Sequence, residues 1–160
     1  MNPHEYCRQK AAASGSSFYP GFFFLPRARR QAIMALYAFC REVDDLVDEC
    51  PDALLAAEKL AWWREEIGRV QNGRPLHPVG LALQEIRRAF HLPAEYLLDI
   101  LDGMQMDLHA TRYPDFAHLA RYCYRVASVV GLLSAEIFGY RARETLCYAH
   151  DLGLAFQLTN

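Results

Sequence analysis

Apolar residues recur three and four positions apart along almost the whole chain, and no run of β-branched residues alternates with polar ones. That periodicity leaves the helix as the only regular element and predicts an all-α domain. Residues 3–13 read as a short amphipathic helix, which "SGSSFYPG" breaks with Gly, Ser and Pro. A long helix starts after Pro26 and runs to about Glu49, where Cys50-Pro51 stops it. Pro51-Asp52 opens the next helix, which carries "LAAEKLAWWREEI" and ends near "QNGRP". Further helices are expected over 79–90, from Pro93 to about Ala110, from 116 to about 138 and from 142 onward. Asp115 is the N-cap of the third of these, and Gly139 ends it. No repeat, linker or low-complexity segment divides the 160 residues, enough for one domain with a substantial core. The final pattern, "YAHDLGLAFQLTN", reaches Asn160 without a stop signal, so the chain is expected to be the N-terminal part of a longer protein.

Charge and cysteine usage exclude several classes. The net charge is −2, which leaves no basic excess to neutralise nucleic-acid phosphates. Five cysteines with no CxxC read as reduced thiols of a cytoplasmic protein, mostly packed in the core. The six histidines show no HxxxH or HExxH pair, which argues against zinc. No apolar run approaches the roughly 20 residues of a membrane span. "GFFFLP", fenced by Gly21 and Pro26, is expected to be a buried segment rather than a membrane contact. Trp62 and Trp63 cannot face one way, so one belongs to the core and the other to a partner helix or lipid surface.

The stretch "YAFCREVDDLVDE" carries the strongest chemical signal. On a wheel of about 100° per residue with Tyr37 at zero, Arg41 falls near 40°, Asp44 near −20°, Asp45 near 80° and Asp48 near 20°. Leu36, Phe39, Cys40, Val43, Leu46 and Val47 take the other side. Such a stripe is either a solvated face or a ligand site. Carboxylates at i and i+4 repel. They also stand at the helix C-terminal end, where the macrodipole disfavours negative charge. Acids placed against both effects point to a cation from outside. Hard oxygen donors suit Mg²⁺, which typically bridges one or two carboxylates to a phosphate, and Arg41 is within reach of a phosphate oxygen.

The same stretch resembles the first aspartate-rich motif of the squalene/phytoene synthases, the trans head-to-head prenyl synthases. "SGSSFY" (14–19) before "LP" (25–26) resembles their substrate flap. "YCYRVASVVG" (122–131) resembles their Tyr-rich signature, and "LGLAFQLTN" (152–160) the helix leading to their second aspartate-rich motif. "KAAASGSSFY", "KLAWWREEI", "DGMQMDL" and "IFGY" are most similar to the bacterial presqualene diphosphate synthases of the hopanoid pathway. The resemblance implies an isoprenoid-synthase-type helical bundle around a central cavity, here truncated, and a prenyltransferase that joins two farnesyl diphosphates C1 to C1′. By motif match, Asp44 and Asp48 bind Mg²⁺ (or Mn²⁺) with Asp45 in support, and Arg41 and Tyr37 hold diphosphate. Ser17 and Phe18 line the flap, and Tyr122, Val126 and Gly131 border the prenyl channel. Gln157 and Asn160 lie near the second diphosphate, with Asn160 also at its metal. NADPH is not expected for the presqualene step, and the enzyme would be cytoplasmic, with peripheral contact on the inner face of the plasma membrane as an option.

Two departures qualify this reading. Ser128 stands where the signature often has Gly, which would narrow the cavity slightly, and the second aspartate-rich motif is absent, so residues 1–160 should hold half a site and be inactive alone. The alternatives are a phytoene or squalene synthase and, for the fragment, a non-catalytic helical domain that self-associates over exposed apolar surface. Outside the motifs, Asp99, Asp102 and Asp107 share one helix, and Asp107 falls on the face of Tyr96, Ile100 and Gly103. Gly131 in mid-helix costs about 1 kcal/mol against Ala, which points to a close neighbour, helix or ligand.

Overall fold

The computed structural model describes residues 2–109 and 112–159, which contain helices and no strand. The helices are α1 (Pro3–Ala13), α2 (Tyr19–Phe22), α3 (Arg27–Asp48), α4 (Ala53–Gln71), α5 (Pro78–Ile86), α6 (Ala94–His109), α7 (Phe116–Cys123), α8 (Val129–Phe138) and α9 (Glu144–Thr159). A π-helical turn over Tyr124–Ser128 joins α7 to α8. Side chains set several starts by giving exposed N–H groups an acceptor. Asn2 accepts from the His4 N–H at 2.9 Å, Asp52 from the Leu54 N–H at 2.9 Å and Asp115 from the His118 N–H at 2.9 Å. At the other end of α8, Gly139 takes φ 77°, a backbone conformation open to glycine without steric penalty.

Helix α3 is the axis of the fold. It packs against α1, α4, α5, α6 and α8. Its apolar stripe, including Leu36, Phe39 and Val43, is fully buried against Leu60 and Ile67 of α4, Leu83 of α5 and Leu101 of α6. The opposite stripe carries Tyr37, Arg41, Asp44 and Asp48, so core packing fixes the direction in which the acids point. Trp63 is buried at 3% exposure, and Trp62 lies outside at 38% under the Arg69 guanidinium. The two tryptophans thus divide as expected.

One buried charge ties α4 to α5. Glu66 is 0% exposed, and its carboxylate accepts from the N–H groups of Leu76 and His77, both at 2.8 Å, and from Arg69 Nε at 2.7 Å. It holds the turn before α5, and periodicity gave no sign of it.

Several expectations need correction. The segment expected as one helix over 79–90 is regular only through Ile86; Arg87 then donates to the Val70 carbonyl at 3.0 Å, capping α4, and the chain tightens into turns. The segment expected as one α-helix from 116 to 138 contains the π turn. There Ser128, 0% exposed, donates to the His150 carbonyl at 2.8 Å. Its hydroxyl therefore links to α9 instead of narrowing a cavity. "GFFFLP" is not a buried segment: Phe22 is buried, but Phe23 is 49% and Phe24 91% exposed. Hydrogen bonds from Phe23, Phe24 and Leu25 back to Pro20, Gly21 and Phe22 wind the stretch into a tight turn, which cannot bury three consecutive side chains. The five cysteines are all free, and as expected most pack in the core: Cys7 and Cys123 are buried and Cys40 packs against the core, while Cys147 is exposed.

Candidate active site

The acid-bearing end of α3 faces α6 and the helix that follows it. Arg41 reaches three and four positions along the helix, pairing with both Asp44 and Asp45. Asp45 also receives Lys10 of α1 at 2.9 Å, and the same ammonium lies 3.3 Å from Glu42, which accepts from the Tyr6 hydroxyl at 2.7 Å. Asp45 is therefore turned toward α1 and neutralised there. Asp44 is partly buried and Asp48 is exposed at the helix end.

Asp44 has neighbours of its own sign. Burial raises its carboxyl above the usual range, and the charges of Asp48, Asp45 and Asp107 add to that effect against the opposing pull of Arg41. Asp107 comes from α6, which packs against α3. Its carboxyl is also raised, by burial first and by Asp48 as well, while a hydrogen bond from Tyr122 opposes the shift. The Tyr122 hydroxyl donates to Asp107 at 2.8 Å, and the Tyr122 ring stacks on Tyr113 with centroids 5.2 Å apart. Burial, with Asp107 as its hydrogen-bond acceptor, raises the Tyr122 phenol. Carboxylates from two helices thus converge, with two tyrosines beside them. Such an arrangement favours whatever brings positive charge to it.

Tyr37, one turn before Arg41, ties this face to the flap. Its hydroxyl donates to Ser14 Oγ at 3.1 Å, and its ring meets Phe22 edge-on at 5.8 Å. The flap then runs to Phe18, whose ring packs against Phe156 of α9 at 6.4 Å. Phe18, Phe156, Gln157 and Thr159 line an open depression of about 350 Å³. The structure so brings Tyr37, the flap, Phe18 and Gln157 into one connected wall. Ser17 is exposed on that flap, and Asn160 lies outside the described residues.

Val126 and Gly131 have packing partners. A Cβ on Gly103 of α6 would stand 2.6 Å from Val126 Cγ1, so Val126 is seated against α6 in the π turn. A Cβ on Gly131 would stand 2.6 Å from the Ala149 carbonyl oxygen, so the close neighbour inferred for Gly131 is helix α9, not a ligand. Asp102 is held by Arg64 at 2.6 Å and Arg125 at 3.3 Å and forms part of the scaffold. Ser14, Lys10, Tyr113 and Phe156 join the site without having been singled out. The signals were weak: Lys10 is one of only two lysines, and Tyr113 sits before a proline in a loop.

Among the described residues no three His, Cys, Asp or Glu side chains form a closed metal-binding group. Oxygen donors at Asp44 and Asp48, one turn apart and pressed by Asp107, fit a hard cation that completes its shell with water and phosphate.

The squalene/phytoene synthase family model matches residues 11–160. The chain belongs to the squalene/phytoene synthase family. It is 43% identical over 158 residues to a presqualene diphosphate synthase of Rhodopseudomonas palustris, covering 98% of this chain and 56% of that protein. It is 36% identical over 170 residues to a phytoene synthase of Arthrospira platensis, covering 98% and 55%. Its fold superposes on a squalene synthase of Alicyclobacillus acidocaldarius with TM-score 0.88 at 31% identity, over 99% of this chain and 59% of that one. The chain spans about half the length of the relatives it matches.

Proposed function

We propose that the protein condenses two farnesyl diphosphates head to head, giving presqualene diphosphate in hopanoid or squalene biosynthesis, and that residues 1–160 are the N-terminal part of its single prenyl synthase domain. What supports this is the family match over residues 11–160 together with Asp44 and Asp48, one turn apart on α3 beside Arg41, and Asp107 of the adjoining α6, which accepts from Tyr122. In the overall step the C1–O bond of one substrate breaks, and diphosphate leaves with the electron pair. The second substrate's double bond attacks the resulting allylic cation, and loss of a proton closes the cyclopropane.

The residues divide the work. Asp44 and Asp48 supply hard oxygen ligands, and Asp45 supports them through its Lys10 and Arg41 pairs. Mg²⁺, when bound there, neutralises the diphosphate and eases its departure. Arg41 and Tyr37 hold diphosphate oxygens by charge-assisted and hydroxyl hydrogen bonds. Ser17 and Phe18 close the flap over the substrate, and Gln157 faces it from α9. Tyr122, anchored by Asp107, stands at the polar end of the prenyl path. NADPH has no part in this step. Residues 1–160 alone carry one wall and are expected to be catalytically silent.

The test is incubation of the full-length protein with labelled farnesyl diphosphate and Mg²⁺, without NADPH. A C30 diphosphate is the expected product. The likeness to a phytoene synthase supports a second reading, which a C40 product from geranylgeranyl diphosphate would establish instead.

A further inference from the structure

Helix α3 carries charge of the wrong sign at both ends. Its C-terminal acids belong to the site above. Its N-terminal turn holds Arg27, Arg29 and Arg30 and no acid. Cations there oppose the macrodipole, and Arg27 and Arg30, three positions apart, also repel each other. Arg8 nearby is neutralised by Glu5 at 2.6 Å, whereas among the described residues Arg27, Arg29 and Arg30 have no carboxylate partner. The chain as a whole is net negative, so this is a local concentration of positive charge.

The residues just before it are apolar and held outward. The hydrogen-bonded turn over residues 20–25 is anchored by buried Phe22 and projects Phe24 at 91% exposure beside Phe23. The Arg30 guanidinium lies 6.0 Å over the Phe23 ring. A groove of about 360 Å³ bounded by Arg8, Phe23, Arg27 and Arg30 runs alongside. A projecting phenylalanine beside unpaired arginines matches the layering of a lipid surface, apolar below and anionic above. An outward phenylalanine flanked by Arg27 and Arg30 complements an anionic lipid surface in both layers.

We propose that the Phe23–Phe24 turn with Arg27 and Arg30 forms a docking surface for an anionic lipid bilayer. Phe24 enters the acyl boundary, and the arginines meet lipid phosphates. Among the described residues no helix is long and apolar enough to cross a membrane, so this contact is peripheral. The surface is independent of the catalytic reading, since none of these residues belongs to the acid face.

The experiment is co-sedimentation of the full-length protein with vesicles of phosphatidylglycerol and phosphatidylcholine, against vesicles of phosphatidylcholine alone. The chain should bind the anionic vesicles and release them at raised salt. Phe24→Ser should weaken binding at least several-fold, and Arg27→Glu with Arg30→Glu should weaken it by about fivefold or more per charge. Leu54→Ser, at an exposed side chain on α4, is the control and should change nothing. Equal binding to both vesicles, or equal loss in the Leu54 variant, overturns the proposal. So does sedimentation showing that Phe24→Ser converts a dimer to a monomer, which would make a second copy the occupant. Circular dichroism confirms that each variant folds, and the exposure of these side chains makes that the expected result.

Discussion

Gly153→Ala and Gly68→Ala make the same chemical change in two helices and should move stability in opposite directions. Both replace a helical glycine, which favours alanine by about 1 kcal/mol. At Gly68 in α4 the added Cβ meets nothing within 4 Å, so the gain should appear nearly whole. At Gly153 in α9 the Cβ would stand 2.5 Å from Ser128 Cα, 2.7 Å from Ser128 N and 2.8 Å from the Ala127 carbonyl carbon. These are backbone atoms of the π turn and cannot swing aside, so α9 must move away. Overpacking of this kind costs roughly 1–3 kcal/mol, and here the upper end applies. Withdrawal of α9 also stretches the bond from Ser128 to the His150 carbonyl, worth about 1 kcal/mol. The balance is a loss of about 2–3 kcal/mol for Gly153→Ala against a gain of about 1 kcal/mol for Gly68→Ala. Urea unfolding followed by far-UV circular dichroism gives both values. A stabilised Gly153→Ala variant, or equal shifts in the two, would refute the close packing of α9 on the π turn.

Other expectations follow from single contacts. Glu66→Ala would strand two backbone N–H groups and Arg69, and denaturant unfolding should show a loss of about 3–5 kcal/mol. Asp107→Asn keeps an acceptor for Tyr122 but removes a charge that burial and Asp48 disfavour. Because burial holds the folded pKa of Asp107 above its unfolded value, its stability contribution is fully present below the unfolded value and lost as pH rises through the folded one. The variant should therefore be the more stable protein at neutral pH. The advantage should vanish in unfolding curves taken below the usual carboxylate range. Burial pushes the Cys7 thiol up to about 12, so thiol labelling of the native chain should modify exposed Cys147 quickly and leave Cys7 untouched until unfolding.

Much of the fold was legible because helix boundaries are written in local chemistry. Asn2, Asp52, Asp115 and Gly139 act where a cap or a stop was needed. What periodicity could not show were features set by a distant partner. The π turn is fixed by α6 and α9 pressing on it through Gly103 and Gly153, and one extra residue in a turn hardly disturbs an apolar stripe. The Glu66 carboxylate is buried because the 76–77 backbone comes to it, a contact ten residues away. Phe24 misled because hydrophobicity alone does not say which of three consecutive aromatic rings a tight turn will turn outward.

The acid face was readable from the direction of its charges along α3, and the wheel placed Asp44 and Asp48 together. The partner on α6 was weighed as a candidate, but its pairing with Tyr122 depends on how α6 and α7 meet. The wheel also could not tell that Asp45 would turn to Lys10, since that requires α1 to lie beside α3.

The account rests on Asp44 and Asp48 of α3 taking a divalent cation together with diphosphate. Calorimetric titration of the protein with inorganic diphosphate, in Mg²⁺ and without it, tests that directly. Binding should require Mg²⁺ and should fall at least tenfold in the Asp44→Asn, Asp48→Asn double variant while its helicity is retained. Undiminished binding in that variant, or binding indifferent to Mg²⁺, would contradict the account.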